Sequence, residues 1–324
     1  MKKLLLASTA LVMSAGVAAA DVALSGDARM GLVYNGDDIQ MTSRARVTFT
    51  MSGETDTGLA FGASFRADNA GAAAGNTRMT GGSVFISGDF GKLTMGDVSG
   101  GARAAVGDLY GVGLTGLGDL NEMTYLDRTN NPFGVNAAGL FTGQARQTAA
   151  LYEYSIDGFT GYVGVGQFNV DRVTFAPDTL RDNYISVGAK YSMDGFTGAI
   201  GYEYTRSTDS NPLFANSTSS HLIASVEYAM DGFKGKAIIG RAGGDLGTAL
   251  SAPGFTRTQM GVSAEGSFDA TTVTAFVNRD FARDTHYGIG ASYDLGGGAS
   301  VKGGIARNGS TRTTVADFGL AFSF

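Results

Sequence analysis

The chain carries two histidines, His221 and His286, no cysteine and thirty carboxylate side chains. A histidine could serve as the general base of a hydrolase if a serine and an orienting carboxylate stood beside it. Serine and aspartate are plentiful here, so their spacing around His221 and His286 selects nothing, and the plainer reading is two histidines at strand ends on the polar phase. Without cysteine there is neither thiolate nor disulfide chemistry. No cluster of histidine and carboxylate has transition-metal spacing. Gly111-Val-Gly-Leu-Thr-Gly116 fits G-x-G-x-x-G, but no βαβ context surrounds it, and 50 glycines produce such spacings by chance. What remains is arranged charge. Arg29, Arg44, Arg46 and Arg66 recur on one strand phase near the start, and "SRARV" from Ser43 sets two of them side by side. Asp108, Asp119, Glu122 and Asp127 share one later segment. Two opposed sets of this kind break no bonds; they set up a field across the space between them.

The elements that must position these charges come from a repeat. "YSIDGFTG" from Tyr154 returns as "YSMDGFTG" from Tyr191, "YAMDGFKG" from Tyr228 and, loosely, "GSFDATTV" from Gly266. Around each copy apolar residues alternate with polar ones, the period of a strand. Asp-Gly is a two-residue hairpin signal, because a type I′ turn needs positive φ twice. Residues 156 and 159 then share a face, and the apolar phase runs unbroken through the turn. The strands span about 10–12 residues against the usual ~5–6, and a tilted strand of that length covers about 25 Å, the apolar band of an outer-membrane barrel. A propeller repeats at a similar period but places four strands in each unit.

Extending the pattern both ways predicts strands near 22–34, 39–52, 58–68, 79–88, 91–98, 146–156, 159–169, 183–193, 196–206, 220–230, 233–241, 256–268, 271–281, 284–294, 299–307 and 311–324. Sixteen is even, as closure in a bacterial membrane requires, and closure leaves no unpaired edge in lipid. The predicted fold is all-β, a 16-stranded antiparallel transmembrane β-barrel with a water-filled lumen. The last strand, "ADFGLAFSF", sets Phe318, Leu320, Phe322 and Phe324 on the lipid face.

Residues 1–20 read as a cleaved signal peptide: Lys2 and Lys3, an apolar stretch, then Ala18-Ala19-Ala20. Residues 21–324 form the barrel domain. The whole chain has 24 basic and 30 acidic residues; without the two leader lysines the net charge is −8. That disfavours nucleic acid as a partner. Residues 99–145 show no period of two and stand far above the usual loop length, which points to function. Leucine, tyrosine and phenylalanine interleave with its acids, so the loop is expected to fold inward and narrow the lumen, with Asp108, Asp119, Glu122 and Asp127 facing Arg29, Arg44, Arg46 and Arg66 on the wall.

"DVALSGDARMGLVYNGDD" at the start, "SRARVTFTMSG" in strand two, "GASYDLGGGAS" near residue 290 and the final Phe324 together resemble the general porins of purple α-proteobacteria. The resemblance covers essentially the whole mature chain. It implies a homotrimeric channel of the Gram-negative outer membrane, set among lipid and lipopolysaccharide, whose third loop (99–145) constricts the pore against a basic wall containing Arg44 and Arg46. It implies passive diffusion of small hydrophilic solutes and ions, no catalysis and no cofactor, with calcium (Ca2+) admitted near the loop at no assigned residue. The alternatives are a substrate-selective channel, for example for sugars, which calls for a ladder of lumen aromatics, a barrel-borne hydrolase using His221 or His286, and a structural or adhesive barrel, which would show no open conductance.

Overall fold

The computed structural model describes residues 21–70, 77–79, 82–127, 149–171, 179–208 and 217–324. Residues 1–20, predicted as a signal peptide, residues 128–145 of the long loop and the predicted strand start at 146–148 lie outside these. Seventeen strand segments follow in order: β1 (Asp21–Tyr34), β2 (Ile39–Glu54), β3 (Ala60–Ala70), β4 (Thr77–Met79), β5 (Ser83–Gly88), β6 (Gly91–Gly96), β7 (Ala149–Ile156), β8 (Phe159–Asp171) and β9 (Thr179–Met193). They continue with β10 (Phe196–Thr208), β11 (Ser217–Met230), β12 (Phe233–Gly243), β13 (Thr258–Phe268), β14 (Thr271–Arg279), β15 (Thr285–Gly296), β16 (Ala299–Asn308) and β17 (Thr313–Ser323). Segments β4 and β5 both pair with β3 and share one place in the wall, so the ring has sixteen positions. Every neighbour in the ring is antiparallel. β17 returns to β1 and closes it, with Gly26 and Phe324 exchanging both backbone hydrogen bonds at the seam. No described helix is long and apolar enough to cross a membrane; this wall would cross with strands.

The repeat sets the register. Ile156 faces Phe159, Met193 faces Phe196, and Met230 faces Phe233 across two-residue turns. Asp157, Asp194 and Asp231 have φ near 50° and the glycines after them φ near 80°, the pair of positive values a type I′ turn demands. The fourth copy departs from this. Asp269 has φ 51° but Ala270 does not follow it into positive φ, because its Cβ resists that region. The two-residue connection and the Phe268–Thr271 pairing are kept.

One phase of each strand is apolar and open to the surroundings. Val187, Val226, Ile239, Val262 and Ile289 are about half exposed although nothing polar offsets them. On a water-soluble protein a band this continuous would be an aggregation surface; against hydrocarbon it is the lipid face. Phe324 and Phe318 lie on it as predicted, 79% and 63% exposed. Phe233 and Phe268 meet edge-on beside the short turns, at a centroid distance of 5.3 Å, in the place of an aromatic girdle.

The core lies inside the ring. Ala102, Ala105, Val106, Leu109, Val112, Leu117, Met123 and Tyr125 of the long loop are buried against Tyr162, Ala199, Ile223, Ile238, Phe276 and Ala306 of the inner wall. The loop opens with a short helix, α1 (Gly101–Val106), packed on β8, β9, β10 and β11. A second, α2 (Gly244–Ala249), caps β11 and β12 at the long-loop end.

Candidate functional site

Through residue 127 the long loop lies in the lumen and covers the inner wall from β8 round to β17. Inward-facing glycines clear its seat. A Cβ on Gly201 would lie 2.6 Å from Ala102 Cα, and one on Gly304 would lie 2.8 Å from Gly113 Cα. Gly164, Gly188, Gly261 and Gly290 face the loop in the same way. Some of the larger wall residues beneath the loop are apolar: Ile223, Ile238 and Phe276 point inward on the phase that periodicity assigns to polar groups. The signal was present as doubled apolar letters, Leu222-Ile223, Ile238-Ile239 and Phe276-Val277, which break the alternation where the loop rests.

Polar wall residues pin the loop backbone. Asp317 accepts from Leu114 N–H at 2.9 Å, Thr115 N–H at 2.6 Å and the Thr115 hydroxyl at 2.7 Å. Ser186 Oγ accepts from Gly101 N–H, and Asn278 Nδ2 donates to the carbonyls of Leu120 and Glu122. Lys236 Nζ donates to Val106 O at 2.7 Å. Gln259 receives Thr124 N–H on Oε1 and donates Nε2–H to Thr124 O. Its remaining amide hydrogen points at His221 Nε2, 3.0 Å away, so that nitrogen accepts and Nδ1–H donates to Glu203 at 3.0 Å. Glu203, fully buried, also accepts from Leu126 N–H and Tyr184 OH.

This disposes of His221 as a hydrolytic base: the nitrogen that would take a proton is occupied by an amide, and the ring is a strut beneath the loop. His286 accepts from Gly309 N–H on Nδ1 and points Nε2 at Asp280 Oδ2, 3.3 Å away, tying two rim turns together. Among the described residues neither histidine is hydrogen-bonded to a serine.

The carboxylates singled out from the sequence divide. Asp108, Glu122 and Asp127 converge on one guanidinium, Arg103 of α1, at 2.9, 3.4 and 4.0 Å. Arg103 was not among the predicted residues, since a lone arginine in an irregular segment gives no periodic signal. Asp108 also accepts from Met123 N–H and Asp127 from Gly100 N–H, so both help to fold the loop. Asp119 stands apart, exposed at a turn with φ 55°. Burial raises the Glu122 carboxyl to about 7, Asp108 adds to the rise, and Arg103 only partly offsets it. Burial works against the charge on Arg103, but Asp108, Asp127 and Glu122 outweigh it and hold the group above its ordinary value.

Arg29, Arg44, Arg46 and Arg66 lie together on the inner face of β1, β2 and β3. Arg29 and Arg44 are direct cross-strand partners, an arrangement that costs stability unless anions intervene. Two do: Asp27 holds Arg44 at 2.8 Å and Arg46 at 3.9 Å, and Asp68 holds Arg46 at 3.3 Å and Arg66 at 2.6 Å. Four cations against two anions leave the arc net positive. Among the described residues no loop carboxylate is paired with these arginines; the described loop meets the arc at Leu114, whose carbonyl accepts from Arg29 Nη1 at 3.4 Å and whose side chain lies over Gly31 of β1. Nor do the described residues group three or more His, Asp or Glu side chains as metal ligands, and the positive charge among the loop acids is that of Arg103.

Comparison with known proteins agrees with this geometry. A family model described as Gram-negative porin matches residues 7–313. A porin of Rhodobacter capsulatus is 39% identical over 325 residues, spanning 94% of this chain and all of the relative. Among solved structures, a porin refined at 1.8 Å resolution superposes with a TM-score of 0.73 at 34% identity, again over 94% of this chain and all of the other. A mutant of the Rh. blastica porin shares the fold, with a TM-score of 0.64 at 21% identity and the same coverage.

Proposed function

The chain belongs to the Gram-negative porin family, a channel of the bacterial outer membrane and not an enzyme, and from that premise we propose how its lumen sorts what passes. Small hydrophilic solutes and ions diffuse through the gap between the seated loop and the bare arc of β1–β3. The arc's excess of guanidinium faces a loop whose carboxylates, Asp108, Asp119, Glu122 and Asp127, outnumber Arg103. A field therefore runs across the gap at right angles to flow. Water molecules and small polar solutes align in it, whereas an apolar solute would have to displace oriented water. The observation that carries this reading is the uncovered arginine arc. Direct cross-strand Arg29 and Arg44 are costly to keep, and the described loop engages the pair only through one long hydrogen bond, from Arg29 Nη1 to Leu114 O at 3.4 Å.

Assembly as a homotrimer, which the family likeness implies, is part of the same proposal. Cross-linking of the detergent-extracted protein tests it. Single-channel recording in a planar bilayer tests the field. Stable open steps in KCl, with discrimination against solutes carrying apolar groups, are expected. Discrimination by size alone would remove the field from the account.

A further inference from the structure

All five lysines beyond the leader lie on the lumen phase, and four are engaged. Lys92 lies 3.8 Å from Glu153, Lys234 2.9 Å from Glu265 and Lys236 2.7 Å from Val106 O, while Lys190 stands over the Tyr162 ring. Lys302 has no carboxylate, carbonyl or ring partner among the described residues. Its cross-strand neighbours are Ser292, whose hydroxyl is also unengaged there, and Gly319, over which Leu114 of the loop packs. Thr272 lies opposite Ser292 on the next strand, so ammonium and two hydroxyls form one row, the Thr272 hydroxyl also pairing with Ser267 Oγ at 3.2 Å. The loop backbone at Gly113 overhangs this row and leaves a niche of about 270 Å³ that includes Lys302, Ser292, Thr272 and Thr274. Glu265 closes the far side but is neutralised by Lys234, and Thr274 donates to its other oxygen at 3.1 Å. Among its lining residues the niche thus carries one net positive charge, with Asp317 turned away to the loop amides of Leu114 and Thr115.

We propose that this niche, on the short-turn side of the loop, is a binding station for small 2-hydroxycarboxylate monoanions in transit. The proposal rests on the channel reading above. One carboxylate oxygen would take a hydrogen bond from the Lys302 ammonium and the other from the Ser292 hydroxyl, a charge-assisted pair. The adjacent hydroxyl of the solute reaches Thr272. A single cation matches a monoanion; a phosphate dianion would leave one charge unmet.

The test is a planar-bilayer recording of the full protein in KCl with lactate added stepwise. Saturable, lactate-dependent current noise is expected, weaker with propionate, which lacks the hydroxyl. Lys302→Gln should raise the half-saturating lactate concentration by about tenfold or more, as loss of a charged hydrogen bond implies. Ser292→Ala should raise it by less, and Lys302→Arg should retain most of the effect. Channels that conduct KCl yet show no lactate dependence overturn the niche and leave the channel intact. So does an unchanged half-saturation in both Lys302→Gln and Ser292→Ala. Absence of KCl conductance in the unaltered protein would instead strike the channel reading on which the niche depends.

Discussion

The inner wall is two surfaces with opposite designs. From β8 to β17 it is a seat: glycines withdraw their side chains, Ile223, Ile238 and Phe276 offer apolar contact, and Asp317, Glu203, Gln259 and Asn278 grip the loop backbone. From β1 to β3 it is almost bare, touched by the described loop at Leu114, crowded with like charge and bridged by Asp27 and Asp68. The first surface gains stability by matching the loop; the second accepts a loss of stability and keeps its charge toward water. Within one barrel, position and field are therefore supplied by separate arcs, and each can be altered without the other.

The largest effect is expected from the seat. Gly201→Leu places atoms where α1 now lies, and a packed interior does not absorb such a volume. Conductance should rise roughly twofold as the constriction widens, and protease should cut within residues 101–127; an unchanged conductance would show that the seat does not hold the loop. Next, Asp317→Ala strips two loop amides of their acceptor, at a cost of about 1–3 kcal/mol each. Amide exchange at Leu114 and Thr115 should accelerate by about tenfold or more, and no acceleration would mean that another group holds this turn. On the bare arc, Arg44→Ala with Arg46→Ala should leave the loop protected from protease while the cation-to-anion permeability ratio rises about twofold. Loss of protection there would blur the two arcs into one.

A smaller effect should come with pH. Glu122 is raised to about 7, so between pH 6 and 8 it gains its charge inside the lumen and cation preference should increase modestly; Glu122→Gln should abolish that step. The linkage runs the same way. A carboxyl whose folded value lies above its ordinary 4.5 helps hold the loop fully below that value and loses the contribution as pH rises through 7. Loop protection should thus be greater at pH 5 than at pH 8. The smallest effect is reserved for the histidines. His286→Ala touches only rim turns and should leave conductance unchanged, whereas His221→Ala leaves Glu203 and Gln259 short of a partner and should loosen the loop.

Much of the ring was legible because its rules are local. Alternation, the Asp-Gly turns and the even strand count need no knowledge of distant residues, and they place the strands to within a few positions. The seat was not legible for the opposite reason. Glu203, His221 and Gln259 meet the loop at separations of 77 to 135 residues, beyond the reach of any periodicity. A glycine inside a strand is silent about whether it serves a turn, a packing gap or a visiting backbone. The arginine cluster could be read because Arg44 and Arg46 are two apart on one phase. The cluster around Arg103 could not, because residues 103, 108, 122 and 127 become neighbours only once the loop is folded.

The seam between β1 and β17 pairs Asp27 with Ser323, nearly the full length of the barrel sequence apart. Contacts at such separation are slow to form, since the intervening polymer must be ordered first. The order of assembly follows. The segment that fills the lumen leaves the ribosome before most of the wall it rests on, so it must wait, unsupported, for a floor made from later sequence. A partly made ring would carry two open edges and an apolar loop face at once, the state most in need of a chaperone's protection during its passage to the membrane.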